Sequence, residues 1–265
     1  MKLPTKIVEK PWGRTDIPPA FGDFGGKRIG EIWFEDPAGA AAPLMVKFLF
    51  TSERLSIQVH PDDAAAQAYG HPRGKEECWL VLDAAPDAEL GVGLVRDSST
   101  AELRTAAEAG SIERLIEWRA AKAGDFIYNS AGTIHAIGPG LTVVEVQQNV
   151  DLTYRLYDYG RPRELHLDAG LAVARTTVHS DPRDRHVPAT GTITLVSGPH
   201  FHLIRATGPL DSAIAPAGSD LTLVPLGPGC TVDGETLALG ECAKVMTLGD
   251  VVLAEGAQAL ICWPI

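Results

Sequence analysis

The feature that most constrains this chain is its punctuation. Short runs of valine, isoleucine, leucine and aromatic residues recur along most of its length, and many are cut by turns drawn from its 27 glycines and 19 prolines. The runs at 29–34, 45–50, 55–60, 77–82, 126–129 and 142–147 are expected strands, because side chains of this shape suit a pleated, half-buried surface. Strands that follow one another without regular helical alternation do not build a parallel α/β sheet. They predict a mainly β protein, a sandwich or jelly roll.

Three segments break the pattern. Residues 98–103 open with Ser98, Ser99 and Thr100, and Ser99 with Glu102 forms a capping box, so a helix begins there. A second short helix is expected over 111–119, where Ile112, Leu115 and Ile116 recur at helical spacing. Together they make a helical insertion over about 98–119. The alanine-rich stretch 62–69, just after Pro61, predicts one or two further turns of helix.

Composition shifts near residue 175. Residues 175–190 carry Asp-Pro, Val-Pro and several charges and read as a connection. New strand-like runs follow at 191–196, 200–206, 221–226, 231–232, 244–247, 250–253 and 259–263. The expected organisation is a larger domain over 1–175 and a smaller β domain over 176–265.

With 34 acidic against 23 basic residues, the net charge of −11 disfavours non-specific nucleic-acid binding, though a local cation cluster suffices for a phosphorylated small molecule. No apolar run approaches the roughly 18 residues that would suggest a membrane helix. Met1 to Lys6 carries charge without an apolar segment after it, so no secretory signal is expected. Cys78, Cys230, Cys242 and Cys262 form no Cys-x-x-Cys pair and are expected as free thiols of a cytoplasmic protein.

Chemistry concentrates in Gln58-Val59-His60-Pro61-Asp62-Asp63 and Lys75-Glu76-Glu77-Cys78-Trp79. On a strand, alternate residues share a face, so Gln58 and His60 project together and Ile57 and Val59 point away. Glu77 on the next strand offers a carboxylate, and Trp79 and Leu80 beside it imply burial, which an unpaired carboxylate resists and a metal relieves. A second histidine, His135, follows a glycine-punctuated segment beginning at Gly124. Two imidazoles, one carboxylate and one amide oxygen make an open site for a divalent metal, with zinc the first choice. Gln58 donates less charge than a third histidine would, so the ion keeps more Lewis acidity. His200 and His202 also share a strand face, but no glutamate or further histidine follows them at comparable spacing, and no second metal site is expected there.

These motifs, with Gly132-Thr133-Ile134-His135-Ala136-Ile137-Gly138 and Thr153-Tyr154-Arg155-Leu156-Tyr157-Asp158-Tyr159-Gly160-Arg161, resemble type I mannose-6-phosphate isomerases, which are zinc-dependent cupins. Pro11-Trp12-Gly13 and Gly30-Glu31-Ile32-Trp33 resemble that family's opening segments. The resemblance covers about residues 1–175, with the motifs in the family's order; residues 176–265 fit its smaller cupin-like domain by position rather than motif. The Gln-x-His pair agrees with this branch where cupins in general carry His-x-His, and Ser130 replaces the usual proline of the second cupin motif.

The resemblance implies a cupin jelly roll with helical insertions, one Zn2+ held by Gln58, His60, Glu77 and His135, and interconversion of mannose 6-phosphate and fructose 6-phosphate through a cis-enediol. It places Arg155 near the reacting end of the sugar and matches Glu145 to a glutamate discussed as the proton-transfer base. Lys75 also matches the family, where it would meet the metal-site carboxylate or the substrate. Ser56 shares the face of Gln58 and His60 and is a candidate hydrogen-bond donor to substrate or phosphate. Arg161 and Arg163 are further cations for the phosphate, unranked. Another sugar phosphate, or a metal-retaining sugar-binding cupin without catalysis, stays open at this point, as does a monomer against a homodimer.

Overall fold

The computed structural model describes every residue from Met1 to Ile265 except Ala217. Its described residues form four antiparallel sheets in layers. The largest has seven strands in the order Thr5–Arg14, Ile29–Phe34, Leu44–Phe50, Leu141–Gln148, Glu77–Ala84, Asp125–Asn129 and Arg185–His186. A five-stranded sheet, ordered Tyr154–Tyr157, Ile57–Val59, His135–Ile137, Glu89–Leu94 and Ile116–Ala120, covers one of its faces. Between them sit Trp79, Val81, Val143 and Ile127 of the first sheet against Leu90, Val92 and Ile137 of the second. This pair is the jelly roll the strand pattern predicts.

The other face of the seven-stranded sheet is also covered. Cys78, Leu80, Phe126, Val144 and Val146 pack against Leu203, Val224, Leu260 and Cys262. Those residues belong to a third sheet of five strands, Ile193–Ser197, Phe201–Thr207, Gln258–Pro264, Leu221–Pro225 and Ala243–Val245. A three-stranded sheet, Glu235–Leu237, Cys230–Val232 and Val251–Leu253, closes the far side over an apolar interior. The layering explains strand Leu141–Gln148, in which every residue is buried. A strand covered on both faces has no solvent side, so it loses the apolar–polar alternation of a half-exposed strand.

Helix Thr100–Glu108 forms as its capping box predicts, with Ser99 Oγ accepting from the Glu102 amide at 3.1 Å. Helix Asp63–Ala68 is capped by Asp62, whose carboxylate accepts from the Ala65 amide at 2.8 Å. The helix expected over 111–119 is not formed. Only one 3₁₀ turn, Ile112–Leu115, appears, and the chain then runs as strand Ile116–Ala120 along Glu89–Leu94. Ile116 and Trp118 suit a strand edge as well as a helix face, and the exposed backbone of Glu89–Leu94 supplies the pairing that decides it. Within the connection after residue 175, Arg185–His186 adds a short edge to the seven-stranded sheet by pairing with Phe126 and Asp125.

Candidate active site

Register builds the site from two cross-strand rows. In the five-stranded sheet Gln58 lies opposite His135 on one side and opposite Arg155 on the other. In the seven-stranded sheet the row runs Trp33, Lys47, Glu145, Trp79, with Glu77 two pairs further along on the same face, opposite Gln147 and Asn129. The rows face each other across a cavity of about 190 Å³ that takes in Gln58, Glu77, Glu145, Lys75, Arg155 and Ser56.

His60, Glu77 and His135 are each 1% exposed, and they present one ligand atom apiece within 4.8 Å of one another. His60 Nδ1 lies 2.9 Å from the Leu152 carbonyl and His135 Nδ1 2.9 Å from the Thr133 carbonyl. A carbonyl only accepts, so each Nδ1 carries the proton and each Nε2 turns a bare lone pair inward. Those Nε2 atoms lie 3.4 Å from the two carboxylate oxygens of Glu77. Gln58 comes within 3.3 Å of His135 Nε2, and Ser56 Oγ donates to Gln58 Oε1 at 3.0 Å. Ser56 therefore orients the amide, a different contact from the one to substrate expected for it. Gly132 ties the histidine-bearing loop in place: its amide donates to the His60 carbonyl at 2.8 Å at a φ of +84°, a backbone shape that favours glycine.

Buried charges hold one another. Asn129 donates to Glu77 Oε1 at 2.8 Å, while Glu77 Oε2 receives no aligned hydrogen bond although Lys75 Nζ stands 2.8 Å away. Burial alone would raise the Glu77 pKa, but Lys75 outweighs it and holds the carboxyl well below its usual range. Lys75, 5% exposed, lies 3.9 Å from Glu145 and 3.2 Å from His60 Nε2; burial would lower its pKa, and Glu77 and Glu145 raise it instead. Burial, then Lys75, lowers the pKa of His60, and burial takes that of His135 down to about 3, so both rings are neutral.

Glu145 is different in kind. Trp79 Nε1 donates to it at 3.0 Å and Lys47 Nζ lies 3.6 Å away. Burial and the nearby Glu77 push its pKa up, and Lys75 and Lys47 only partly oppose them. Arg155 lines the same cavity with Nε buried and unpaired, and no carboxylate lies within ion-pair distance of it among the described residues. Arg161 and Arg163 instead both grip the buried carboxylate of Asp158, at 2.8 and 2.5 Å; only Arg163 also reaches the cavity wall.

Lys47 and Glu31 are site residues that motif reading misses. Lys47, 6% exposed, sits over the Trp33 ring at 4.7 Å, and Glu31 pairs with Lys10 at 3.3 Å and with Trp33 Nε1 at 2.8 Å. The signal is present in Leu44-Met45-Val46-Lys47-Phe48-Leu49-Phe50, a lysine inside a run apolar on both faces. His200 and His202 lie away from this centre: His200 approaches Gln148 at 3.3 Å, and His202 stacks on Trp263 at 4.9 Å between ring centres.

Comparison with known proteins agrees with this architecture. The chain matches no known family model. It is 36% identical over 201 residues to the probable mannose-6-phosphate isomerase GmuF of Bacillus subtilis, an alignment covering 69% of this chain and 63% of that relative. The chain thus spans less than two thirds of the length of the curated relatives it matches, from 55% to 63%. Its fold superposes on a crystal structure of the mannose 6-phosphate isomerase from Bacillus subtilis with a TM-score of 0.79 at 27% identity, covering 98% of both chains. A zinc-bound mannose 6-phosphate isomerase structure, 15% identical, shares the fold at a TM-score of 0.74 over 99% of this chain and 98% of that one. By sequence and by fold, the chain is similar to mannose-6-phosphate isomerases.

Proposed function

We propose that this protein is a zinc-dependent aldose–ketose isomerase that interconverts mannose 6-phosphate and fructose 6-phosphate. The observation that carries the reading is the pair of facing rows: on one side of a small cavity neutral imidazole lone pairs, and on the other the Glu77 carboxylate that meets them and Glu145, a buried glutamate whose proton affinity is raised. The family's substrate, named in the relatives above, fits a cavity lined by cations as well as carboxylates.

The donor set fits a divalent ion. His60 and His135 offer nitrogen, Glu77 a carboxylate with one oxygen lacking an aligned donor, and Gln58 an amide that Ser56 can orient either way by rotating its hydroxyl. Zinc is the reading that nitrogen-rich, mixed N/O sites favour. When bound, the ion supplies Lewis acidity toward the oxygens of the reacting sugar carbons.

The chain's own residues do the rest. From the aldose, Glu145 takes the proton from C2 to give a cis-enediol in its singly ionised form and returns it at C1, while the O2 hydroxyl proton passes to O1; a carboxyl whose pKa is raised can both accept and give back a proton near neutrality. Arg155, without an ion pair among the described residues, offsets the charge that develops on O1 and O2. Lys75 is a positioning residue, keeping Glu77 ionised and bridging toward Glu145. The phosphate is met by cavity cations, with Lys10 and Arg155 the least committed and Arg163 shared with Asp158.

The larger unit over 1–175 carries all of these groups, with 176–265 as the smaller β unit backing its large sheet. A cytoplasmic setting accords with four buried, free cysteines, and no helix among the described residues is long and apolar enough to cross a membrane. The test is a coupled assay of mannose 6-phosphate turnover by zinc-loaded protein and by Arg155→Ala. Turnover that collapses in the variant supports the reading. No turnover by the zinc-loaded parent protein rejects mannose 6-phosphate as substrate.

A further inference from the structure

A second cavity, about 330 Å³, opens on the opposite side of strand Glu77–Ala84 from the metal-ligating residues, where the seven-stranded sheet meets the third sheet. Much of its wall is apolar: Leu80 and Leu82 from one sheet, Leu226 just past strand Leu221–Pro225 of the other, and Val187 and Pro188 from the connection between them, with Gln258 and His186 as polar members. One full charge intrudes. Arg205 lies on the face of strand Phe201–Thr207 that also presents Leu203 to the seven-stranded sheet, and it lines the cavity.

Arg205 is 3% exposed, yet no carboxylate stands within ion-pair distance of it among the described residues. Its Nη2 donates to the Gly191 carbonyl at 2.8 Å and the Thr190 carbonyl at 3.3 Å, while Nε is buried without any partner. A buried guanidinium without a counter-charge is costly, because neutral carbonyls return only part of the lost hydration. The cost is out of character here, since every other deeply buried cation, Lys47 and Lys75, sits against a glutamate.

We infer that this cavity is a binding site for a small monocarboxylate with an apolar body, its carboxylate received by Arg205. The fork geometry of a guanidinium suits the two oxygens of a carboxylate. A single positive charge matches a monoanion rather than a phosphate dianion, because the other basic wall residue, His186, is engaged by Asp125 at 2.8 Å. Leu80, Leu82, Val187, Pro188 and Leu226 present aliphatic surface of the kind that buries a short hydrocarbon. The site is independent of the isomerase reading, since no residue of the first cavity lines it.

The test titrates hexanoate and benzoate into the full chain by calorimetry, with inorganic phosphate as the comparison anion. Saturable one-to-one binding is expected, weakened about tenfold or more in Arg205→Leu, as loss of a charge-assisted hydrogen-bonded pair implies. Ala123, exposed on the rim, gives a second variant that does not touch the core: Ala123→Trp narrows the mouth and is expected to weaken binding too. The inference is overturned if neither carboxylate saturates the parent protein, if phosphate binds as tightly as they do, or if affinity is unchanged in Arg205→Leu. Should Arg205→Leu not fold, unchanged affinity in Ala123→Trp overturns it equally.

Discussion

The two β interiors of this molecule are built on like backbones and filled with opposite chemistry. Between the third and fourth sheets lie Ile204, Leu221, Leu223, Val232, Leu253 and Ile261, apolar throughout. Between the first and second lie apolar residues at one end and Glu31, Lys47, Lys75, Glu77, His60, His135 and Glu145 at the other. The first kind of interior is held by area removed from water, about 25 cal/mol per Å² of apolar surface. The second tolerates charge because each ion has a counter-ion, and it gains chemistry for which an apolar interior has no groups. Strand register is the difference: pairing Gln58 with His135 and Glu145 with Lys47 and Trp79 turns isolated polar residues into a network.

The most severe way to break the comparison is Glu77→Gln. It removes the one charged member of the proposed ligand set and leaves Lys75 buried with only Glu145 nearby. Zinc retention and turnover are expected to vanish, and the metal-free protein to lose about 3–5 kcal/mol in a denaturant titration, as when one partner of a buried pair is deleted. Glu145→Gln should spare metal content, read by elemental analysis, while turnover falls by roughly 10²–10⁴, the usual range for removing a general base. Because the Glu145 pKa is raised, and a base works only when deprotonated, the acidic limb of the rate profile should lie above the ordinary carboxylate range, activity falling as pH drops through it.

In the apolar interior the expectations reverse. Leu223→Ala, at a fully buried position, should cost about 2–5 kcal/mol of unfolding free energy yet leave zinc stoichiometry unchanged. Equal loss of metal would show that the two interiors are not separable. The smallest effect belongs to Ser56→Ala, which frees the Gln58 amide; zinc affinity measured by competition with a chelating dye should weaken about tenfold, typical of a lost partner to a ligand.

Much of the site is legible in the amino-acid sequence. Alternation on a strand is enough to put Gln58 and His60 on one face, and the ordered motifs imply His135, Glu77, Arg155 and Glu145. Burial of Glu77 follows from its neighbours Trp79 and Leu80. What stays hidden is non-local. Lys47 matters because it lies across the sheet from Glu145, and register between strands nearly a hundred residues apart is not written in either strand alone. Ile116–Ala120 misleads for the same reason: its helical spacing is real, but the edge of Glu89–Leu94 offers it a ladder of hydrogen bonds. Arg205 gives no signal at all, since an arginine in a strand ordinarily reaches solvent.

The most direct test of the central claim is to strip the protein with a chelator, measure metal content and mannose 6-phosphate turnover together, and then restore zinc. The account predicts that activity disappears with the metal and returns as zinc is bound at one equivalent per chain. Turnover that persists in protein shown to be metal-free would contradict it.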